Sequence, residues 1–197
     1  SNRTADAARA LYDRLFERLL ATNPGSATSL GLDTGARAAL RGRLSSSAAD
    51  ARFSFASELA AAQRDIGAID AELLSGSDRT HLDAIRWFAD RASEIIRTPY
   101  GGFEGYPIPY TLSQLTGSYQ DTPDFLDSTH PIATAADAEA YLARMNAMAD
   151  NVGHEVARAR SEMAMGVVPP TYILTKLEAQ TRALATQRGA SAGMADV

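Results

Sequence analysis

The sequence predicts an all-α fold, and three observations carry that expectation. Alanine, the strongest helix former, supplies much of a 45% hydrophobic content. Apolar residues recur three and four apart over several long stretches, the spacing of a helix face. The breaks between those stretches fall at Asn23-Pro24-Gly25, Ser75-Gly76-Ser77 and Gly166 to Pro170, residues that stop or cap helices. Together they predict long antiparallel helices forming one lobe over residues 1–197, with an irregular Pro/Gly/aromatic segment at about 98–132.

The first helix is predicted from Thr4 to Ala21, where Ala8, Leu11, Tyr12, Leu15, Phe16, Leu19 and Leu20 form one stripe. Asn23-Pro24-Gly25 ends it, because proline cannot continue a helix. A short segment from Ser26 to Leu32 leads to a brief helix at Thr34 to Arg43. Ser45-Ser46-Ser47 offers a cap for a long helix from Ala48 to Leu74, with Phe55, Leu59, Ala62, Ile66, Ile69 and Leu73 inward. The next helix, Asp78 to Arg97, turns Leu82, Ile85, Phe88, Ala89, Ala92 and Ile96 inward. So short a connection makes the two an antiparallel hairpin. The four-residue pairs Arg9/Asp13, Arg86/Asp90 and Arg158/Glu162 read as weak supports on exposed faces.

From Thr98 to Ile132 the helical spacing stops. Prolines and glycines punctuate it, while Phe103, Tyr106, Tyr110, Tyr119 and Phe125 are too many aromatics for a flexible linker. An ordered layer draped over the helices is expected, with one short helix at Leu112 to Leu115. Ordered loops of this length tend to carry function. Thr134 then caps a long helix to Met165, with Ala138, Tyr141, Leu142, Met145, Ala149, Val152, Val156 and Met163 on its buried side. Pro169-Pro170 opens a last helix, Thr171 to Gln187, and the tail from Gly189 to Val197 frays.

Charge and composition narrow the function classes. A net charge of −5 from well-mixed acids and bases leaves no basic stripe for nucleic acid. The chain has no cysteine, which removes disulfides, thiolate metal sites and cysteine nucleophiles. No apolar run approaches the roughly 20 residues that span a bilayer. Ser1-Asn2 reads as a tag scar, and a start trimmed in that way hints at a removed export signal.

Catalytic patterns were sought among the titratable residues. His154-Glu155 is half of the zinc-binding helix motif, but the residue one turn on is Arg158, a cation that repels metal. His154, His81 and His130 are therefore read as structural or solvated. Asp121, Asp124 and Asp127 recur every third residue; Pro123 sits where a calcium loop would turn, so they read as helix-start acids. Gly101-Gly102-Phe103-Glu104-Gly105 reads as a bend, since no lysine and no suitable helix follow it.

Four stretches resemble the N-terminal part of the bacterial family called domain of unknown function 885. They are Asn23-Pro24 with Thr28, Leu30, Gly31 and Leu32; Tyr106-Pro107-Ile108-Pro109-Tyr110 with Ser113-Gln114-Leu115, Gly117 and Pro123-Asp124-Phe125-Leu126; His130-Pro131-Ile132 ahead of Asp137 to Arg144; and Gly166-Val167-Val168-Pro169-Pro170 after a helix carrying Arg158 and Arg160. The resemblance implies a mostly helical, zincin-like protein related to cleft-forming, zinc-dependent peptidases, often exported or periplasmic. Its metal motif lies in the C-terminal part, which this chain does not include, so no catalytic or metal-binding residue carries over.

Two readings follow. In the first, the chain is the N-terminal helical lobe of a peptidase-type hydrolase, holding no cofactor itself, with zinc in the full-length parent. Its partners are then the remainder of the parent chain and the parent's peptide substrate, and Tyr110, Gln114 and Tyr119 are the residues expected to line a cleft. Apolar surface cut off from its partner would also make the fragment self-associate. In the second, the chain is a self-contained, non-enzymatic helical binding or scaffolding module.

Overall fold

The computed structural model describes residues 3–103 and 107–186. The predicted tail, the Glu104-Gly105 end of the predicted bend, Tyr106 and Ser1-Asn2 lie outside the described residues. The fold is all-α. Helix α1 spans Arg3–Thr22, and a one-residue break at Asn23 separates it from α2, Pro24–Ser29. The Asn23 side chain accepts the Ser26 amide, so the short segment after the first helix starts as a capped helix. A 3-10 helix over Gly35–Gly42 matches the brief helix predicted there.

The long helix predicted from Ala48 to Leu74 is shorter. Helix α3 spans Ala49–Gly67, and a 3-10 turn at Ala71–Leu73 follows. Two local preferences explain the break. Gly67 is a poor helix former, and the Asp70 carboxylate accepts the Glu72 amide, offering the backbone a turn in place of a helix. The break changes which leucine is buried: Leu74 is 7% exposed and Leu73 67%. Helix α4, Gly76–Ile96, returns antiparallel to α3, with Gln63 bonded to Asp90 and Arg52 to the Ile96 carbonyl at the far end.

α1, α3 and α4 enclose the apolar core of Ala8, Leu11, Ala62, Ile66, Leu74 and Leu82. Phe16, Leu19 and Phe88, expected inward, are exposed at the margins of their stripes. Two of the predicted four-residue pairs also differ. Arg9 crosses to Asp78 at 2.7 Å, tying α1 to α4, and Arg86 leans on Asp83 at 3.7 Å because Gln63 occupies Asp90.

Within the irregular layer, β1 (Gly102–Phe103) pairs antiparallel with β2 (Pro107–Ile108). Gly101 sets up this contact. Its φ is +63°, and a Cβ there would lie 2.0 Å from the Ile108 carbonyl oxygen, so only glycine fits. No helix forms at Leu112 to Leu115; a tight turn closed by an isolated Ser113–Thr116 bridge stands there. The helix of this region is instead α5, Ser118–Ser128, with Pro123 inside it and Asp121 in its first turn. Proline and glycine in sequence argued for a break; burial of Tyr119, Thr122 and Leu126 overrides them.

Helix α6 spans Ala135–Ala164 and opens with a capping box: Thr134 Oγ1 accepts the Asp137 amide, and Asp137 accepts the Thr134 amide. Its orientation differs from the expectation. The buried residues are Asp137, Tyr141, Arg144, Asn151, Glu155 and Glu162, whereas Leu142 is 57% and Met163 58% exposed. Helix α7, Thr171–Thr186, follows the Gly166 to Pro170 break and buries Ile173. Among the described residues, no helix is long and apolar enough to cross a membrane.

Candidate functional site

The inner face of α6 buries positions 137, 141, 144, 151, 155 and 162, steps of four, three and seven that keep one side of a helix facing its neighbours. Five of those six are polar. A polar group leaves water without loss only if it finds partners, and each one does, which sorts the face into three nodes.

The first node surrounds Arg144, whose side chain is fully buried. It donates to Thr28 Oγ1 at 2.7 Å, His130 Nδ1 at 2.7 Å, the Arg43 carbonyl at 3.0 Å and the Leu40 carbonyl at 3.2 Å. Its guanidinium also lies 4.8 Å above the Phe125 ring. A guanidinium can only donate, so His130 Nδ1 accepts and Nε2 carries the hydrogen, donating to the Asp137 carbonyl at 2.9 Å. Burial pushes the Arg144 pKa down to about 10, with Arg41 adding to that and Asp33 opposing it. Arg41 bridges the two acids, at 2.6 Å to Asp137 and 3.1 Å to Asp33. The hydrogen bond from Arg41, with Thr134 adding to it, holds Asp137 down to about 2. Burial pushes Asp33 up, but the bonds from Arg41 and Thr28 outweigh it and leave the group below its usual range.

The second node is Glu155. It accepts the Ser118 amide at 2.9 Å, the Ser118 hydroxyl at 2.7 Å and the Ser47 hydroxyl at 2.9 Å. Gly117, the residue before α5, has no side chain to cap that helix, and Glu155 does so from α6. Partial burial pushes Asp121 up, and the Glu155 and Asp124 carboxylates push it the same way.

The third node is Glu162, which holds the irregular layer. It accepts the Gly101 amide at 2.8 Å, the Thr111 hydroxyl at 2.6 Å and the Thr111 amide at 3.3 Å, and pairs with Arg158 at 3.3 Å. The Arg158/Glu162 pair predicted as an exposed support is thus a buried clamp. Arg158 and Arg52 both donate to the Gly101 carbonyl, and Arg52 also reaches the Ile96 and Thr98 carbonyls. Burial, then the neighbouring Arg158, lowers the Arg52 pKa.

Tyr110 and Gln114 lie on or beside the Ser113–Thr116 turn, and Tyr119 stands in the first turn of α5 that follows it. Tyr119 is buried, its hydroxyl 2.6 Å from the Ser113 carbonyl and 2.9 Å from Gln180 Oε1. Burial and then Asp121 raise its pKa. Gln114 is half-buried; its carbonyl accepts from Gln180 at 3.3 Å, while its Oε1 is enclosed without a hydrogen-bond partner. Tyr110 is half-buried, and its carbonyl accepts the Thr116 hydroxyl at 3.2 Å. The structure therefore places the three close together along the chain, with Gln114 and Tyr119 pinned to α7 through Gln180, Tyr119 facing inward from α5 and the other two partly at the surface. Gln180 was not singled out from the sequence; Glu155 was read only as half of a metal motif and Glu162 only as an exposed partner of Arg158, although both keep the helical spacing of Arg144 on α6.

The residues that carry the family resemblance converge at the first node: Thr28, Phe125, His130, Asp137 and Arg144 come from three of the four stretches. The family described as bacterial protein of unknown function (DUF885) matches residues 24–196. This chain belongs to that family. Against curated proteins and solved structures, the DUF885 chain finds no match.

A zinc ion does not fit the one sequence pattern that invites it. His154 is exposed, and Glu155 beside it is buried and bonded to Ser47 and Ser118. Arg158, one turn on, is engaged with Glu162 and Gly101. His130 serves Arg144, and His81 is exposed with its ring edge on Tyr12. Among the described residues, no group of three or more His, Asp or Glu side chains is placed to hold a metal.

Proposed function

We propose that this DUF885 chain is the N-terminal helical lobe of a zincin-like, zinc-dependent peptidase-type hydrolase, exported by its host, and that it builds one wall of the substrate cleft. The metal and the general base come from the remainder of the parent protein. One observation carries the reading. The irregular layer, residues 98–103 and 107–117, is held from beneath together with the start of α5 by two buried carboxylates, Glu155 and Glu162, and by two arginines, Arg52 and Arg158. Backbone that is irregular yet so fixed is what a binding wall needs, because substrate then meets a preorganised surface.

The exposed groups of that region suit a peptide. Tyr110 and Gln114 are half-exposed on the layer, Tyr100 and Leu115 are exposed on it, and Met165, Val168 and Tyr172 are exposed between the end of α6 and the start of α7. Aromatic and aliphatic groups with a few polar tips are the usual lining of a cleft.

The test is the full-length parent assayed on a peptide library, with and without a chelator. Chelator-sensitive cleavage is expected, with Gln114→Ala or Tyr110→Ala raising KM more than it lowers kcat. A parent that cleaves no peptide, or whose activity ignores the chelator, rejects the reading.

A further inference from the structure

Helix α6 carries a second stripe, set to one side of its polar inner face. Within the fold it packs against residues 35–42 and α5, and that stripe is left open or half-open along its whole length. Leu142, Val156 and Met163 are exposed; Met145, Val152 and Ala159 are half-buried. With Ala138 and Ala149 they follow alternating steps of four and three residues over four heptads, the seam spacing of paired helices. At 1.5 Å per residue the seam is about 38 Å long. Such spacing asks for another helix rather than for a sheet or a small molecule.

We propose that the occupant is α6 of a second copy of this chain, running antiparallel about a two-fold axis near residues 150–151. Two features of the sequence on this face single out that partner. First, the steps read the same from either end. An antiparallel copy sets Ala138 against Met163, Leu142 against Ala159, Met145 against Val156 and Ala149 against Val152, so every seam residue meets a seam residue. The small pair at the centre lets the helices cross closely, and the large ones fill the ends. Second, the charges beside the seam are complementary only in that arrangement. Glu139 follows Ala138, and Arg160 follows Ala159. Both are exposed, and neither forms an ion pair with a described residue. In an antiparallel pair these two flanks face each other, placing Glu139 of each copy beside Arg160 of the other. In a parallel pair Arg160 would face the Glu155 position, and that carboxylate is occupied by Ser47 and Ser118. A two-fold contact is self-complementary, as a closed dimer requires.

This interface does not depend on the hydrolase reading, and its test uses no activity. Sedimentation velocity on the 197-residue chain over a range of concentrations should show a monomer–dimer equilibrium. Glu139→Arg or Arg160→Glu alone should weaken the dimer severalfold, and the double variant should restore it, because the swap regenerates the pair across the axis. Both side chains are exposed, so circular dichroism should show unchanged folding. The absence of native cysteine gives a second readout. Oxidation of mixed Leu142→Cys and Ala159→Cys chains should yield a covalent dimer. Leu142→Cys alone should not, since its copies would sit about 25 Å apart along the helices. A strictly monomeric chain, a dimer indifferent to both charge reversals, or efficient self-crosslinking of Leu142→Cys would each overturn the proposal.

Discussion

The two halves of this molecule are held together by opposite chemistry. Around α1, α3 and α4, burial is aliphatic: Leu11, Ile66 and Leu82 close on each other, and charges such as Arg9 and Asp78 stay outside at the seam. Around α6, burial is polar: Arg144, Asp137, Glu155 and Glu162 turn inward and bond to the backbone and side chains of the segments around them. The difference reflects what each half must hold. Regular helices present stripes that fit side against side, and apolar contact is enough. The 3-10 turn at 35–42, the loop at 43–48 and the layer at 98–103 and 107–117 present unpaired amides and carbonyls, which only donors and acceptors can satisfy. Where the backbone is irregular, the helix beside it has to be polar.

The comparison yields an order of effects. Arg144→Met should cost most, about 3–5 kcal/mol, because it strips donors from two buried and two partly buried acceptors at once. Urea denaturation followed by circular dichroism measures it, and a loss under 1 kcal/mol would mean the polar half is not what holds α6 in place. Leu82→Ala should follow at about 2–5 kcal/mol from lost burial and the cavity left behind, and unlike Arg144→Met it should leave the amides around α6 protected in hydrogen exchange. Glu162→Gln should cost about 1–3 kcal/mol and act locally. Faster exchange is expected at the Gly101 and Thr111 amides and not in the α3–α4 hairpin; uniform acceleration would show that the clamp belongs to the global core.

Acid should act chiefly on the polar half, although Asp78 of the other half is also held below its usual range by Arg9. Asp137 is held down to about 2, so the folded state binds its proton later than the unfolded chain, whose carboxylate titrates near 3.8. The stabilisation is therefore complete above about pH 5 and is lost as pH falls through about 2. Asp33, lowered by the same Arg41, moves with it. Asp137→Asn should flatten this acid limb, whereas Leu82→Ala should shift stability equally at every pH.

How far the site was legible can be argued from α6 itself. Its length, its Thr134 start and its stop at Gly166 were readable, because caps and breakers are local chemistry. Its rotation was not. Leu142, Val156 and Met163 formed the more apolar stripe, and apolarity alone pointed them inward. The polar residues at 137, 144, 151, 155 and 162 keep an equally regular spacing, but the pattern acquires meaning only once Thr28, Ser47, Gly101 and Thr111 are known to lie opposite. Helix α5 was hidden for the same reason: Gly117 and Pro123 argue against a helix locally, and the cap that rescues it comes from Glu155.

The sequence by itself determined the all-α class, most helix boundaries, the α3–α4 hairpin and membership of the DUF885 family, since each rests on residues within a turn or two of one another or on ordered short stretches. The tertiary structure alone decided which face of α6 is buried, where the irregular layer is pinned and how Tyr110, Gln114 and Tyr119 are disposed. Those outcomes depend on hydrogen-bond partners up to about a hundred residues away, and a buried polar group takes its role from whatever donor or acceptor the fold brings to it.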